Sequence, residues 1–187
     1  YLDNAATTPI APEVVEAMIP VLTEGFGNPS SAHFYGRQTK AQIELSRRTI
    51  AKYLNCQPSE IVFTSGGTEA DNMALYSCVN QLGVKHIITS QIEHHAVGHT
   101  CEAIDKEGKA RISYVHLDEK GNVDLQHLEE LLKSNDTTLV SLMHANNEIG
   151  NLNDLDRIGA LAKEYDAFFH SDTVQTMGHY VHDLKQL

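Results

Sequence analysis

The chain has few cysteines and arranges none of them in a pair. Cys56, Cys78 and Cys101 are its only three, and no CxxC spacing occurs. That argues against a zinc ribbon and against a thioredoxin-type redox motif. Free thiols suit a reducing compartment, so the cytoplasm is the expected location. Each thiol reads as a small buried hydrophobe rather than a nucleophile. Basic residues are also scarce: 14 Lys and Arg stand against 25 Asp and Glu, a formal net charge of −11. General nucleic-acid binding needs a positive surface, so no nucleic-acid partner is expected. An anionic ligand remains open, because backbone N–H groups bind one locally. No apolar run is long enough to span a bilayer, so no membrane partner is expected. Tyr1-Leu2-Asp3-Asn4 lacks the basic start and apolar stretch of a signal peptide. The first residue is not Met, so the true start is expected to be missing or removed.

What is present is an alternation of helical and strand patterns across 187 residues, long enough to bury a core. Pro12 suits the first turn of a helix bearing Val14, Met18 and Leu22, with Pro20 expected to kink or end it. A polar stretch with Ile43, Ile50 and Leu54 reads as a second helix, closing before Gln57-Pro58-Ser59. Ile61 to Thr64 reads as a short buried strand and Thr68 to Leu82 as a helix. The cycle repeats with strands at His86 to Thr89, Arg111 to Val115, Leu139 to Met143 and Ala167 to His170. The helices between them run from Ala96 to Glu107, through Leu125, Leu128 and Leu132, and from an Asn153 cap through Leu155, Ile158, Leu161 and Tyr165. Such alternation implies an α/β layer fold with a mostly parallel sheet. Ligands of these sheets bind beyond the carboxyl ends of the strands, so the residues just after each strand are the candidates for chemistry.

Four segments occupy those positions. Ser65-Gly66-Gly67-Thr68 opens a helix, where glycine lets the backbone approach a ligand and the first-turn N–H groups attract an anion. It is neither a P-loop nor a GxGxxG fingerprint, and an ordinary strand-to-helix turn capped by Thr68 explains it equally well. Glu93-His94-His95 puts a histidine at the ligand edge, suited to ring stacking or proton transfer. With His99 it also offers an i, i+4 pair for a metal, without a third ligand spaced nearby, and a surface pair or helix cap is the plain alternative. The amides of Asn146-Asn147 either bond a ligand or shape a turn. Asp172 ends a buried strand, where an acid needs a cationic partner, an arginine, a metal or water.

Taken together these segments resemble the cysteine desulfurases of the class V aminotransferase family. The matching stretches are Leu2 to Thr8, Gly27-Asn28-Pro29-Ser30-Ser31-x-His33, Ser65 to Asn72, Glu93 to Ala96, Met143-His144-x-Asn146-Asn147-Glu148-Ile149-Gly150, and His170-x-Asp172-x-x-Gln175. They run in one order over essentially the whole chain. The resemblance implies a PLP-dependent (pyridoxal 5'-phosphate) aminotransferase fold of type I. It implies an N-terminal segment over 1–15 bordering the site, an incomplete large cofactor domain over 16–187, and an absent small C-terminal domain. It also implies roles. Gly67 and Thr68 would hold the phosphate, and His94 would stack on the pyridine ring and move protons as the catalytic residue. Asp172 would pair with the pyridinium nitrogen. Gln175 would bond the phenolic oxygen, with Asn147 beside that oxygen and the substrate carboxylate. The implied reaction takes sulfur from L-cysteine, leaving L-alanine and an enzyme persulfide. The persulfide would pass to an iron–sulfur scaffold or another sulfur-acceptor protein, and the enzyme is expected to be a homodimer.

The departures are as informative. The family's Ser-x-His-Lys segment, which carries the Schiff-base lysine, would follow the Asp-x-x-Gln segment, and no lysine present lies in such a segment. Cys56, Cys78 and Cys101 do not match the persulfide-carrying cysteine, and Thr173 stands where the family usually has alanine. The chain alone is therefore expected to be inactive. The alternatives are another class V PLP enzyme such as a selenocysteine lyase, a non-catalytic binding or dimerisation module, and a histidine-based metal hydrolase.

Overall fold

The computed structural model describes residues 1–134 and 136–186. They form two compact units: Tyr1–Val62 with Val181–Lys185, and Phe63–Tyr180 with Gln186.

The first unit is helical. Helix α1 (Pro12–Glu24) starts on proline, whose missing N–H costs nothing at that position, and it passes through Pro20 without ending. Its apolar residues do not make a core: Val14, Met18 and Leu22 are all exposed, and no residue of α1 is buried. Helix α2 (Phe34–Tyr53) begins where His33 accepts the Gly36 N–H. It is followed by a 3₁₀ turn over Pro58–Glu60. The strand expected at Ile61 to Thr64 is not formed. Val62 and Phe63 are exposed there rather than buried, and the Arg47 guanidinium binds the Ile61 carbonyl.

The second unit is a three-layer sandwich. Helix α3 (Gly67–Gln81), strand β1 (His86–Thr89), helix α4 (His95–Lys106), strand β2 (Arg111–Tyr114), helix α5 (Leu125–Leu132), strand β3 (Thr138–Ser141), helix α6 (Leu155–Glu164) and strand β4 (Phe168–His170) follow in order. The strands are parallel and lie in the order β2-β1-β3-β4. The two central strands are buried along their whole length, as expected of parallel strands covered on both faces. Side chains alternate between those faces. Ile87 and Leu139, paired in register, point to α3 and α4 and meet Leu75, Val97 and Ile104. Their neighbours Ile88 and Val140 point to α5 and α6 and meet Leu128, Ile158 and Ala162. Each of these buried Val, Leu and Ile side chains contributes about 1.5–3 kcal/mol of transfer free energy.

Several boundaries shift by a residue from the sequence reading, and two larger differences bear on the site. Asn153 does not cap α6. Asp154 does, accepting the Arg157 N–H, while Asn153 donates from Nδ2 to the Met143 carbonyl at 2.8 Å. Strand β3 ends at Ser141, before the expected Met143. Its pairing with β4 nonetheless continues as Leu142 N–H to His170 C=O (3.1 Å) and His144 N–H to Asp172 C=O (3.0 Å). That extension carries Asp172 to the carboxyl edge of the sheet. No described helix is long and apolar enough to cross a membrane.

Candidate functional site

The carboxyl ends of β1, β3 and β4 carry three of the four polar segments that the sequence singles out, those around His94, Asn147 and Asp172, while Ser65 to Thr68 opens α3 with no strand before it. A cavity of about 220 Å³ lies between the β1 and β3 ends, lined by Gln91 to His95 on one side and Asn146 to Ile149 on the other. His94 and Asn147 thus share one cavity. Gly67, Thr68, Asp172 and Gln175 do not line it.

His94 is exposed and is the cap residue of α4, its Nδ1 accepting the Ala96 N–H at 3.1 Å. It is therefore both a helix cap and a cavity residue. With Nδ1 engaged as acceptor, the neutral ring carries its proton on Nε2. The rings of His95 and His99 stack with centroids 4.8 Å apart. Among the described residues no group of three or more His, Cys, Asp or Glu could hold a metal ion.

Asp172 is buried, and its Oδ1 accepts the Val174 N–H at 2.9 Å. Val174 approaches the start of α3: a Cβ built on Gly67 would lie 3.0 Å from Val174 Cγ2. The glycine therefore lets the two segments close on one another. Gln175, in the same turn, is half-buried. The first helical bond of α3 is Ala70 N–H to Gly66 C=O, so the N–H groups of Gly67, Thr68 and Glu69 have no acceptor within the helix. Glu69 does not fill that place. Its carboxylate turns back onto the Ser65 N–H (2.7 Å) and hydroxyl (2.6 Å), and those bonds hold it below the usual carboxylate range. Thr68 is not the cap of α3; Gly66 is, with no side-chain bond. One turn into α3, Asp71 is buried with its Oδ1 3.5 Å from His170 Nε2, while His170 Nδ1 meets the Ser141 hydroxyl at 2.9 Å.

Glu93 lies in a matching motif, but the sequence assigns it no role. Burial pushes its carboxyl up to about 7, against the opposing effect of hydrogen bonds from Ser90 and the Met143 N–H, and the Asp172 charge adds to the rise. Its bonds to a backbone 50 residues away leave no local signal in the sequence. Cys101 is buried and its thiol is pushed up to about 12 by burial, so it carries almost no thiolate at neutral pH.

The family model for aminotransferase class-V matches residues 1–187. A cysteine desulfurase IscS of Dictyoglomus turgidum is 51% identical over 96% of this chain and 45% of its own length. One of Methanosarcina thermophila is 47% identical over 100% of this chain and 46% of its own. Among solved structures, a NifS-like protein superposes with a TM-score of 0.93 at 38% identity, covering 99% of this chain and 51% of that one. SspA, solved in complex with cysteine, superposes with a TM-score of 0.92 at 35% identity, covering 100% of this chain and 54% of that one. The chain spans about half the length of the curated relatives it matches.

Proposed function

The chain belongs to the class-V aminotransferase family, whose members are PLP-dependent enzymes, and on that premise we propose that it is the cofactor-holding part of a cysteine desulfurase. One observation carries the proposal. His94 and Asn147 face one cavity at the sheet's carboxyl edge, and the buried Asp172 stands at that same edge in a turn that packs on the opening of α3.

The chain's own residues fit the cofactor. The unclaimed N–H groups of Gly67 and Thr68 suit a phosphate at a helix N-terminus. A carboxylate buried at a strand end needs a cationic partner, and a pyridinium nitrogen is one. PLP, when bound, withdraws electrons from the substrate's Cα. Against it His94 offers a flat ring whose Nε2 holds the proton. Asp172 would set its carboxyl group opposite the ring nitrogen. Gln175 and Asn147 offer side-chain amides to the phenolic oxygen, and Asn147 also to a substrate carboxylate.

The substrate under this proposal is L-cysteine, by analogy with the relatives named cysteine desulfurase and with SspA in complex with cysteine. Its sulfur would leave as an enzyme persulfide for an iron–sulfur scaffold or another acceptor protein, with L-alanine as the other product. We place the whole enzyme in the cytoplasm as a homodimer. We assign residues 1–15 to the site's border and 16–187 to the large cofactor domain. None of the lysines in these residues sits in a segment suited to holding the cofactor covalently, so residues 1–187 alone are proposed to bind without turnover. The test is to supply the intact protein with PLP, L-cysteine and a thiol reductant that releases the persulfide sulfur as sulfide. A visible cofactor absorbance and equal yields of sulfide and alanine are expected; cofactor binding without alanine would transfer the protein to another class-V chemistry.

A further inference from the structure

We propose that Glu93 and Asn146 are a reciprocal pair of positioning residues that set the spacing between the two walls of the His94–Asn147 cavity. The inference rests on the proposed function only for the ligand that reports it.

The walls belong to different strand ends. The register of β1 with β3 stops at Ile88 opposite Val140, short of the cavity. Beyond that point side chains take over the link. From the β1 wall, Glu93 reaches across: Oε1 and Oε2 accept the Met143 N–H at 3.1 and 3.0 Å, and Oε1 also accepts the Ser90 hydroxyl at 2.7 Å. From the β3 wall, Asn146 reaches back: its Nδ2 donates to the Ile92 carbonyl at 2.6 Å. The Asn146 Oδ1 meanwhile accepts the N–H groups of Glu148 (2.8 Å) and Ile149 (2.9 Å). Asn153 holds the carbonyl of the same Met143 at 2.8 Å, so that residue is gripped at both its N–H and its C=O.

The two clamp residues are placed alike. Glu93 directly precedes His94, and Asn146 directly precedes Asn147. Fixing the backbone at each clamp therefore fixes the attachment point of the cavity residue beside it. The polar atoms of Glu93 and Asn146 are engaged with the protein, so the pair acts through its neighbours rather than on a ligand. A site of this kind needs its groups held to about half an ångström, and these part-buried side-chain-to-backbone bonds supply that hold. The geometry also sets which substitution is mild. Gln at 93 keeps one acceptor for the Met143 N–H and offers an NH₂ to Ser90, whereas Ala leaves both unpartnered.

The experiment compares the intact protein with E93A, E93Q, N146A and E93A/N146A. PLP is titrated by absorbance, the ellipticity of the bound cofactor's visible band is recorded, and hydrogen exchange of the Met143 amide is followed without ligand. E93A and N146A are each expected to weaken PLP by about tenfold, equivalent to the loss of about 1.4 kcal/mol. Both should change the ellipticity per bound cofactor, and both should quicken Met143 exchange. E93Q should restore all three toward the parent values. The double variant should fall short of the product of the singles, because each half of a clamp holds little once the other is gone. Unchanged affinity and ellipticity in E93A and N146A would overturn the proposal, as would effects that simply multiply. If E93A does not fold, N146A and E93Q decide on the same readouts. A parent protein that binds no PLP sinks the cofactor reading instead; Met143 exchange then decides the clamp alone, quickened in both single variants if it stands and unchanged if it does not.

Discussion

The two ends of the parallel sheet both bury polar groups, and they do opposite things with them. At the amino end, the His86 ring is fully buried and bonded at both nitrogens. Nε2 meets the Ser113 hydroxyl at 2.9 Å, and Nδ1 meets the Arg111 guanidinium at 3.0 Å with Ser134 and Thr138 nearby. Arg111 is in turn paired with Asp136 at 3.1 Å. The cluster closes on itself. At the carboxyl end, Asp172 is buried with the Val174 N–H on one oxygen, and His94 and Asn147 face an open cavity. A closed cluster serves the fold, and an open one awaits a ligand. The contrast can be broken at either end.

The largest effect is expected from Asp172→Ala. Removing one member of a buried ion pair costs about 3–5 kcal/mol, so PLP affinity should fall by two orders of magnitude or more while the melting temperature of the cofactor-free protein changes little. Absorbance titration and thermal unfolding measure the two. His86→Ala should do the reverse. Orphaning its buried partners is expected to cost about 2–4 kcal/mol in denaturant unfolding and to leave PLP affinity unchanged. Equal effects of the two substitutions on cofactor affinity would erase the distinction between the ends.

The ends should also respond oppositely to pH. Glu93 is raised to about 7, so its contribution to stability is full below about 4.5, its ordinary value, and is lost as pH rises through 7. His86 is lowered to about 4 by burial and the Arg111 charge, so its contribution is present above about 6.5 and is lost as pH falls through 4. Wild-type stability relative to E93Q should therefore decline between pH 4.5 and 7, by at most about 3 kcal/mol. Relative to His86→Asn it should decline in the other direction, from pH 6.5 down to 4. Denaturant midpoints across pH 4 to 8 give both curves, and parallel slopes would contradict the assignment. The smallest effect is expected from Asn147→Ala, an exchange on the cavity wall. It should raise KM for cysteine by about tenfold, the weight of one hydrogen bond, with stability within about 0.5 kcal/mol of the parent.

Much of this contrast is written locally in the sequence. His86-Ile87-Ile88-Thr89 announces a strand, and the polar residues after each strand mark the ligand edge. The alternation of helices and strands gives the layer order. What escapes the sequence depends on partners far along the chain. Ile61 to Thr64 has the composition of a strand but is not assigned to one, and its Val62 and Phe63 are exposed. Asn153 and Asp154 are equally good caps by type, and the choice falls to Asp154 because Asn153 is drawn to Met143. The Glu93 clamp spans 50 residues, and the closeness of Gly67 to Val174 spans more than a hundred. Helix α1 shows the same limit from the other side: its amphipathic pattern is plain, yet it buries nothing here.

The account's central claim is that the carboxyl-edge segments of the sheet converge on one cofactor. A crystal structure of the intact protein grown with PLP tests it most directly. The phosphate should sit on the N–H groups of Gly67 and Thr68, the pyridine nitrogen should meet Asp172, and the ring should lie against His94. A cofactor bound elsewhere, or one whose ring nitrogen finds no contact with Asp172, would contradict it.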